Sequence, residues 1–180
     1  MGEDNNKELN VKDWIILSTT MIGAVLTILA LIWQARPNYG IVTATFFLML
    51  SFVMFVNSVS ANSKANFEVK SGQFNLKLVN KFVKFAEYSF GIGFTLVING
   101  FSLLGYEYIK DFTGFPLLAL SLPAALLVLA WFMMAIYSGI DKSGRESKSL
   151  KIRKRTVYTI LEVLVLVIIT IDSFGFFTIP

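Results

Sequence analysis

Five stretches of the chain, residues 14–33, 41–61, 85–106, 115–140 and 156–177, each run for twenty residues or more without an interior lysine or arginine. A helix needs roughly 20 apolar residues to cross a hydrocarbon core. A soluble domain of 180 residues has too little interior to hide five such stretches. Composition agrees: 55% of residues are hydrophobic and 16% charged, against about a quarter charged in a typical soluble domain. The fold class is therefore all-α, a polytopic membrane protein with a single membrane domain over 1–180. Turn and charge signals separate the spans, as in "QARPNYG" after the first and "KDFTGFP" after the third. Trp14, Trp33, Tyr39, Tyr106, Tyr108 and Tyr158 fall near the span boundaries, where amphipathic rings are favoured. The first stretch is read as a retained span: it is too long for a signal peptide core, and "MGEDNNKELN" before it is more acidic than basic.

Lysine and arginine set the orientation. The N-terminal tail carries two, the connection 62–84 five and the connection 141–155 seven, whereas the opposite connections hold only Arg36 and Lys110. The positive-inside rule then places the N-terminus in the cytoplasm and the C-terminus outside. The net charge of +4 follows from this topology, so no nucleic-acid partner is expected. A prokaryotic plasma membrane is the expected location, in keeping with the lack of Asn-x-Ser/Thr sequons.

Within 62–84, helical steps of 100° gather Lys77, Asn80, Lys81 and Lys84 on one side, with Phe74, Leu76, Leu78, Val79, Phe82 and Val83 on the rest. This predicts an amphipathic cytoplasmic helix before the third span, either lying in the interface or running directly into that span. Lys77, Lys81 and Lys84, with Arg153, Lys154 and Arg155 of "KIRKR", are the expected contacts to anionic lipid headgroups.

Polar residues inside the spans are the functional leads. Glu87, Gly91, Thr95 and Asn99 recur every four residues on the third span, with Ser102 three further on. Such a stripe should face protein or water, because lipid offers it neither hydrogen bonds nor close packing. On the fifth span, Thr159, Glu162, Thr170 and Ser173 share a face, while Asp172 points elsewhere and is expected at the external interface. Under the orientation above, Glu87, Glu162 and Asn57 lie in the cytoplasmic half of the membrane. Glu87, Glu162, Asn57 and Asn99 are thus the candidates for ion binding or proton carrying. Thr19, Gly23 and Thr27 form a small-residue seam for packing against another span or another subunit, and Gly91 and Thr95 serve the same purpose on the third span. Pro123 is a candidate bend in the fourth span.

The chain has no cysteine and no histidine, which excludes thiol chemistry and the commonest transition-metal ligand. No hydrolase set, HExxH or phosphate-cradling loop occurs, so neither an enzyme nor a cofactor is expected. What remains is an oligomeric cation channel or transporter subunit using intramembrane carboxylates. The alternative is a noncatalytic accessory or assembly subunit of a larger membrane complex.

Overall fold

A computed structural model describes residues 2–34, 40–71, 75–140 and 148–180, with side chains at 11–34, 40–71, 75, 77–133, 135–136 and 156–180. Five helices follow in order: α1 (Gly2–Gln34), α2 (Ile41–Lys70), α3 (Leu76–Thr113), α4 (Pro116–Ile140) and α5 (Lys148–Ser173). Each contains a segment long and apolar enough to cross a membrane, and no strand occurs among the described residues. The protein is an all-α polytopic membrane protein. Large apolar side chains stand outward along its helices, among them Ile16 and Leu31 on α1, Phe46 and Val53 on α2, Phe132 on α4 and Val163 and Val167 on α5. Such a surface is costly in water and neutral in lipid.

Helix ends follow from local chemistry. The Asn75 side chain accepts from Leu78 N–H at 3.2 Å and so caps the start of α3. At the other end of α3, Gly114 takes φ +69°, and Pro116 opens α4 where its missing N–H costs nothing. The fifth span is shorter than the expected 156–177, because α5 stops at Ser173. Gly175 at φ +74° makes the reversal, with its N–H on the Asp172 carbonyl and that of Phe176 on the Ile171 carbonyl. This pair of bonds closes the last turn and releases the chain into a returning tail. Pro123 is buried within α4, whose helical run continues past it to Ile140.

Three helices are longer than a membrane requires. At about 1.5 Å per residue, α1, α2 and α3 reach roughly 50, 45 and 57 Å, against a core of about 30 Å. The amphipathic segment is accordingly the first part of α3 and not a separate helix; no proline interrupts 76–113.

Packing divides the chain into two units, Met1–Gln34 with Leu48–Phe94 and Ala35–Phe47 with Thr95–Pro180. In the first unit, Val11 of α1, Ala65 of α2 and Val79 of α3 form a small core, flanked by Ile15, Val69, Phe82 and Val83. All three central residues lie outside the apolar stretches read from the sequence, so the surplus helix ends bury one another. On the apolar face of the amphipathic segment Val79 is buried and Leu78, Phe82 and Val83 are half-covered, while Lys77, Lys81 and Lys84 are exposed; Phe74 and the Leu76 side chain lie outside the described residues. Further along, Trp14 meets Phe90 edge-on at 5.3 Å and Phe90 meets Phe55 at 5.4 Å. Ser18 and Ser58 share a hydrogen bond of 3.1 Å. Such bonds contribute only about 0.6 kcal/mol in a bilayer, so the aromatic packing carries more of the association.

In the second unit, Ala44 of α2, Leu103 and Tyr106 of α3, Ala119 of α4, Val165 and Ile169 of α5 and Ile179 of the tail make one core. The tail also caps α2. Gly40 N–H donates to the Ile179 carbonyl at 3.0 Å, and Thr43 donates to the Pro180 carbonyl through both its N–H (3.1 Å) and its hydroxyl (2.8 Å). These carbonyls satisfy donors that a helix start leaves open.

Gly40 has φ +78°, and a Cβ there would run into Glu107 Cγ, whereas a Cβ on Gly114 would meet nothing within 4 Å. Gly40→Ala and Gly114→Ala should each lose about 1–2 kcal/mol of backbone preference. Thermal unfolding in detergent should show a larger loss for Gly40→Ala. Equal losses would mean that the Glu107 side chain yields freely.

Candidate functional site

The polar stripe of α3 turns inward as its spacing requires. Glu87 and Gly91 are half-buried in the first unit, and Thr95, Asn99 and Ser102 are buried in the second. Phe94 and Phe101 stand outward. Asn57 is half-buried on α2 in the first unit. A Cβ on Gly93 in the same unit would lie 3.0 Å from the Phe55 ring, a close approach between α3 and α2.

Four threonine hydroxyls on α1 and α5 are satisfied by their own helices. Thr19, Thr20, Thr27 and Thr170 each donate to the carbonyl four residues back, at 2.7–2.9 Å. Thr19, Gly23 and Thr27 are exposed, and a Cβ on Gly23 would meet nothing. Among the described residues nothing packs on Gly23, and the expected seam stays exposed on its unit. The reason is local: a back-bonded threonine is compatible with lipid. The buried line of α1 is instead Val11, Ser18, Val25 and Leu29.

In the second unit the buried face of α5 reads Glu162, Val165, Ile169 and Asp172, and the facing line of α3 reads Thr95, Asn99, Ser102 and Tyr106. Asn99 Nδ2 reaches the Leu161 carbonyl at 3.4 Å, which brings the amide to the turn of α5 that carries Glu162. Glu162 is 4% exposed, and no described residue gives it a hydrogen bond or an ion pair. It stands about 9 Å inside the span counted from Thr156. Asn99 Oδ1 and Ser102 Oγ are buried without a partner.

Ten residues along α5 the pattern changes. Asp172, expected at an interface, is 5% exposed and fully engaged. Its Oδ2 accepts from Tyr106 Oη at 2.7 Å and from Lys110 Nζ at 2.5 Å, and its Oδ1 accepts from the Ile179 N–H at 3.2 Å. Lys110 also lies 5.3 Å from the Tyr106 ring centroid and 3.6 Å from Glu107 Oε2. Glu107 is 5% exposed, and its Oε1 has no partner. Tyr106, read from the sequence as a boundary ring, is wholly buried because its hydroxyl belongs to this cluster. The sequence reading did not single out Glu107 or Lys110 as a pair. Their spacing of three residues beside Tyr106 was the available signal, whereas the partner Asp172 lies 62 residues away.

Among the described residues no group of three or more acidic, histidine or cysteine side chains could hold a metal ion. Arg153, Lys154 and Arg155 fall in the helical run of α5, but their side chains lie outside the described residues, as does Tyr39. Comparison of the chain with protein-family models, with curated proteins and with solved structures finds no match in any of the three.

Removing one member of a buried charge pair costs on the order of 3 kcal/mol, because the other charge is left behind. Lys110→Met and Asp172→Asn should each lower the unfolding temperature in detergent, and the double variant should fall short of their sum by at least about 0.5 kcal/mol. Strict additivity would mean that the two side chains do not act together.

Proposed function

We propose that the protein handles cations across a membrane, as a subunit of an oligomeric channel or transporter whose working groups are intramembrane carboxylates. The observation that carries this reading is Glu162. An isolated charge at the centre of a bilayer costs ~2.5–3.5 kcal/mol on insertion scales. Glu162 stands short of the centre, yet it is buried with neither a basic partner nor a hydrogen bond among the described residues. It shares its turn of α5 with the carbonyl that Asn99 contacts, and the acceptor oxygens Asn99 Oδ1 and Ser102 Oγ lie along the facing helix. Acidic and neutral oxygens together attract a cation or carry a proton. Glu87 and Asn57 extend the proposed set on the first unit. Five spans enclose little space, so several copies would share one pathway.

A second reading rests on the outward Thr19–Gly23–Thr27 stripe of α1, a surface of small residues that suits docking by another membrane protein. On that reading the chain is a noncatalytic accessory subunit. Neither reading assigns a catalytic step.

In purified liposomes a cation flux lost in Glu162→Gln and weakened in Glu87→Gln is the expected result. Absence of flux at any voltage, pH or calcium level, with a membrane protein copurifying in fixed ratio, would shift the assignment to the accessory reading.

We also propose a prokaryotic plasma membrane with the N-terminus cytoplasmic, which sets the exposed Lys77, Lys81 and Lys84 against anionic headgroups. Because the chain has no native cysteine, Asn80→Cys and Thr178→Cys test the orientation cleanly. In intact cells an impermeant maleimide should label the second and spare the first; the opposite pattern would reverse the topology.

A further inference from the structure

The cluster at the C-terminal ends of α3 and α5 has one carboxylate too many. Asp172 receives three donors, from Tyr106, Lys110 and the Ile179 N–H, which is full satisfaction for an ionised carboxylate. Glu107 receives only the edge of the same ammonium, at 3.6 Å, and its second oxygen has nothing. With both acids ionised, one lysine faces two negative charges in a place 95% shielded from water at Glu107. Among the described residues the ionisable neighbours of Glu107 are Tyr106, Lys110 and Asp111 on its own helix and Asp172 from α5. Gly40 of the α2 turn and Ile179 of the tail press on the same cluster without an ionisable side chain.

We propose that the cation handled by this protein is the proton, and that Glu107 Oε1 is its binding site at this end of the α3–α5 seam. The inference rests on the transport reading above. A metal cation suits the place poorly: the Lys110 ammonium already occupies the position between the two acids, and the described residues offer no set of three ligands. A proton needs one lone pair and brings one charge. When it binds, an O–H bond of hydronium breaks and leaves water, an O–H bond forms at Oε1, the Glu107 charge disappears, and Lys110 is left balanced against Asp172. When it leaves, it passes to water as hydronium and the carboxylate is restored.

The test uses the full chain reconstituted in liposomes, read in two ways. Infrared spectra across a pH series, in H₂O and D₂O, report the C=O stretch of a protonated carboxyl group. An entrapped pH dye reports proton flux. A protonated-carboxyl band should disappear in Glu107→Gln, shift in Glu107→Asp, and persist in Glu162→Gln. Proton flux should fall at least tenfold in Glu107→Gln with the melting temperature held near that of the parent. A band set unchanged by Glu107→Gln overturns the site, even if Glu162→Gln abolishes flux. Flux of alkali cations without protons overturns the proton assignment and leaves the broader transport reading standing. A Glu107 band with no flux of any cation preserves the proton site and removes the transport reading.

Discussion

In a hydrocarbon medium a polar group is satisfied by the chain itself or not at all. That constraint sorts every hydroxyl, amide and carboxylate of this protein into one of a few conditions. Thr19, Thr20 and Thr27 return their hydrogen bonds to the preceding turn and so can face lipid. Ser18 with Ser58, and Asp172 with Tyr106 and Lys110, find partners on another helix and so fix helices together. Among the described residues Asn62 Nδ2 and Asn66 Oδ1 on α2, and Asn99 Oδ1, Ser102 Oγ and Glu107 Oε1 on α3, find none. α1 carries back-bonded groups on its outer surface, while the unpartnered ones lie on α2 and α3.

The same constraint explains why charge appears where it does. Surplus helix at the ends of α1, α2 and α3 carries the exposed lysines, and Val11, Ala65 and Val79 hold those ends together by burying one another. A lysine there needs no partner because water is close. Lys110, at the opposite end of α3, is partly covered and must be matched, and Asp172 matches it. The Schellman turn at Gly175 follows directly from this placement. Only a sharp reversal after α5 lets Ile179 return to donate to Asp172 and to cap α2 through its carbonyl.

Five apolar runs without basic residues made the five helices legible, since length and charge exclusion are properties of single segments. Lysine spacing likewise foretold which face of the start of α3 stays outside. The sequence did not reveal what covers the other face: Val79 meets Val11 and Ala65 from distant segments. The Thr19–Gly23–Thr27 spacing predicts a seam toward another span or another subunit; the stripe is exposed on α1, and its back-bonded hydroxyls suit lipid and a second subunit alike. The Asp172 cluster was invisible for a related reason. Asp172 alone reads as an acid near a membrane boundary, and its character changes only when Tyr106 and Lys110 are brought against it from 62 to 66 residues away.

A buried acceptor with no donor costs about 1–3 kcal/mol, and a purely structural seam would gain by exchanging it for an apolar side chain of similar volume. The same kind of cost recurs at the Asn62 donor and the Asn66 acceptor on α2 and at Asn99, Ser102 and Glu107 on α3, and Glu162 is a further buried carboxylate on the helix facing Asn99. Helix glue does not require this; one satisfied bond such as Ser18–Ser58 joins helices as well as several unsatisfied oxygens. A mobile cation does require it. Its passage depends on acceptors that are already in place and not consumed by donors of the protein, so that they release their guest as readily as they receive it. On the proposed transport reading the seam between α3 and α5 supplies such acceptors, while Asp172, with both oxygens bonded, holds the C-terminal ends of the two helices in register.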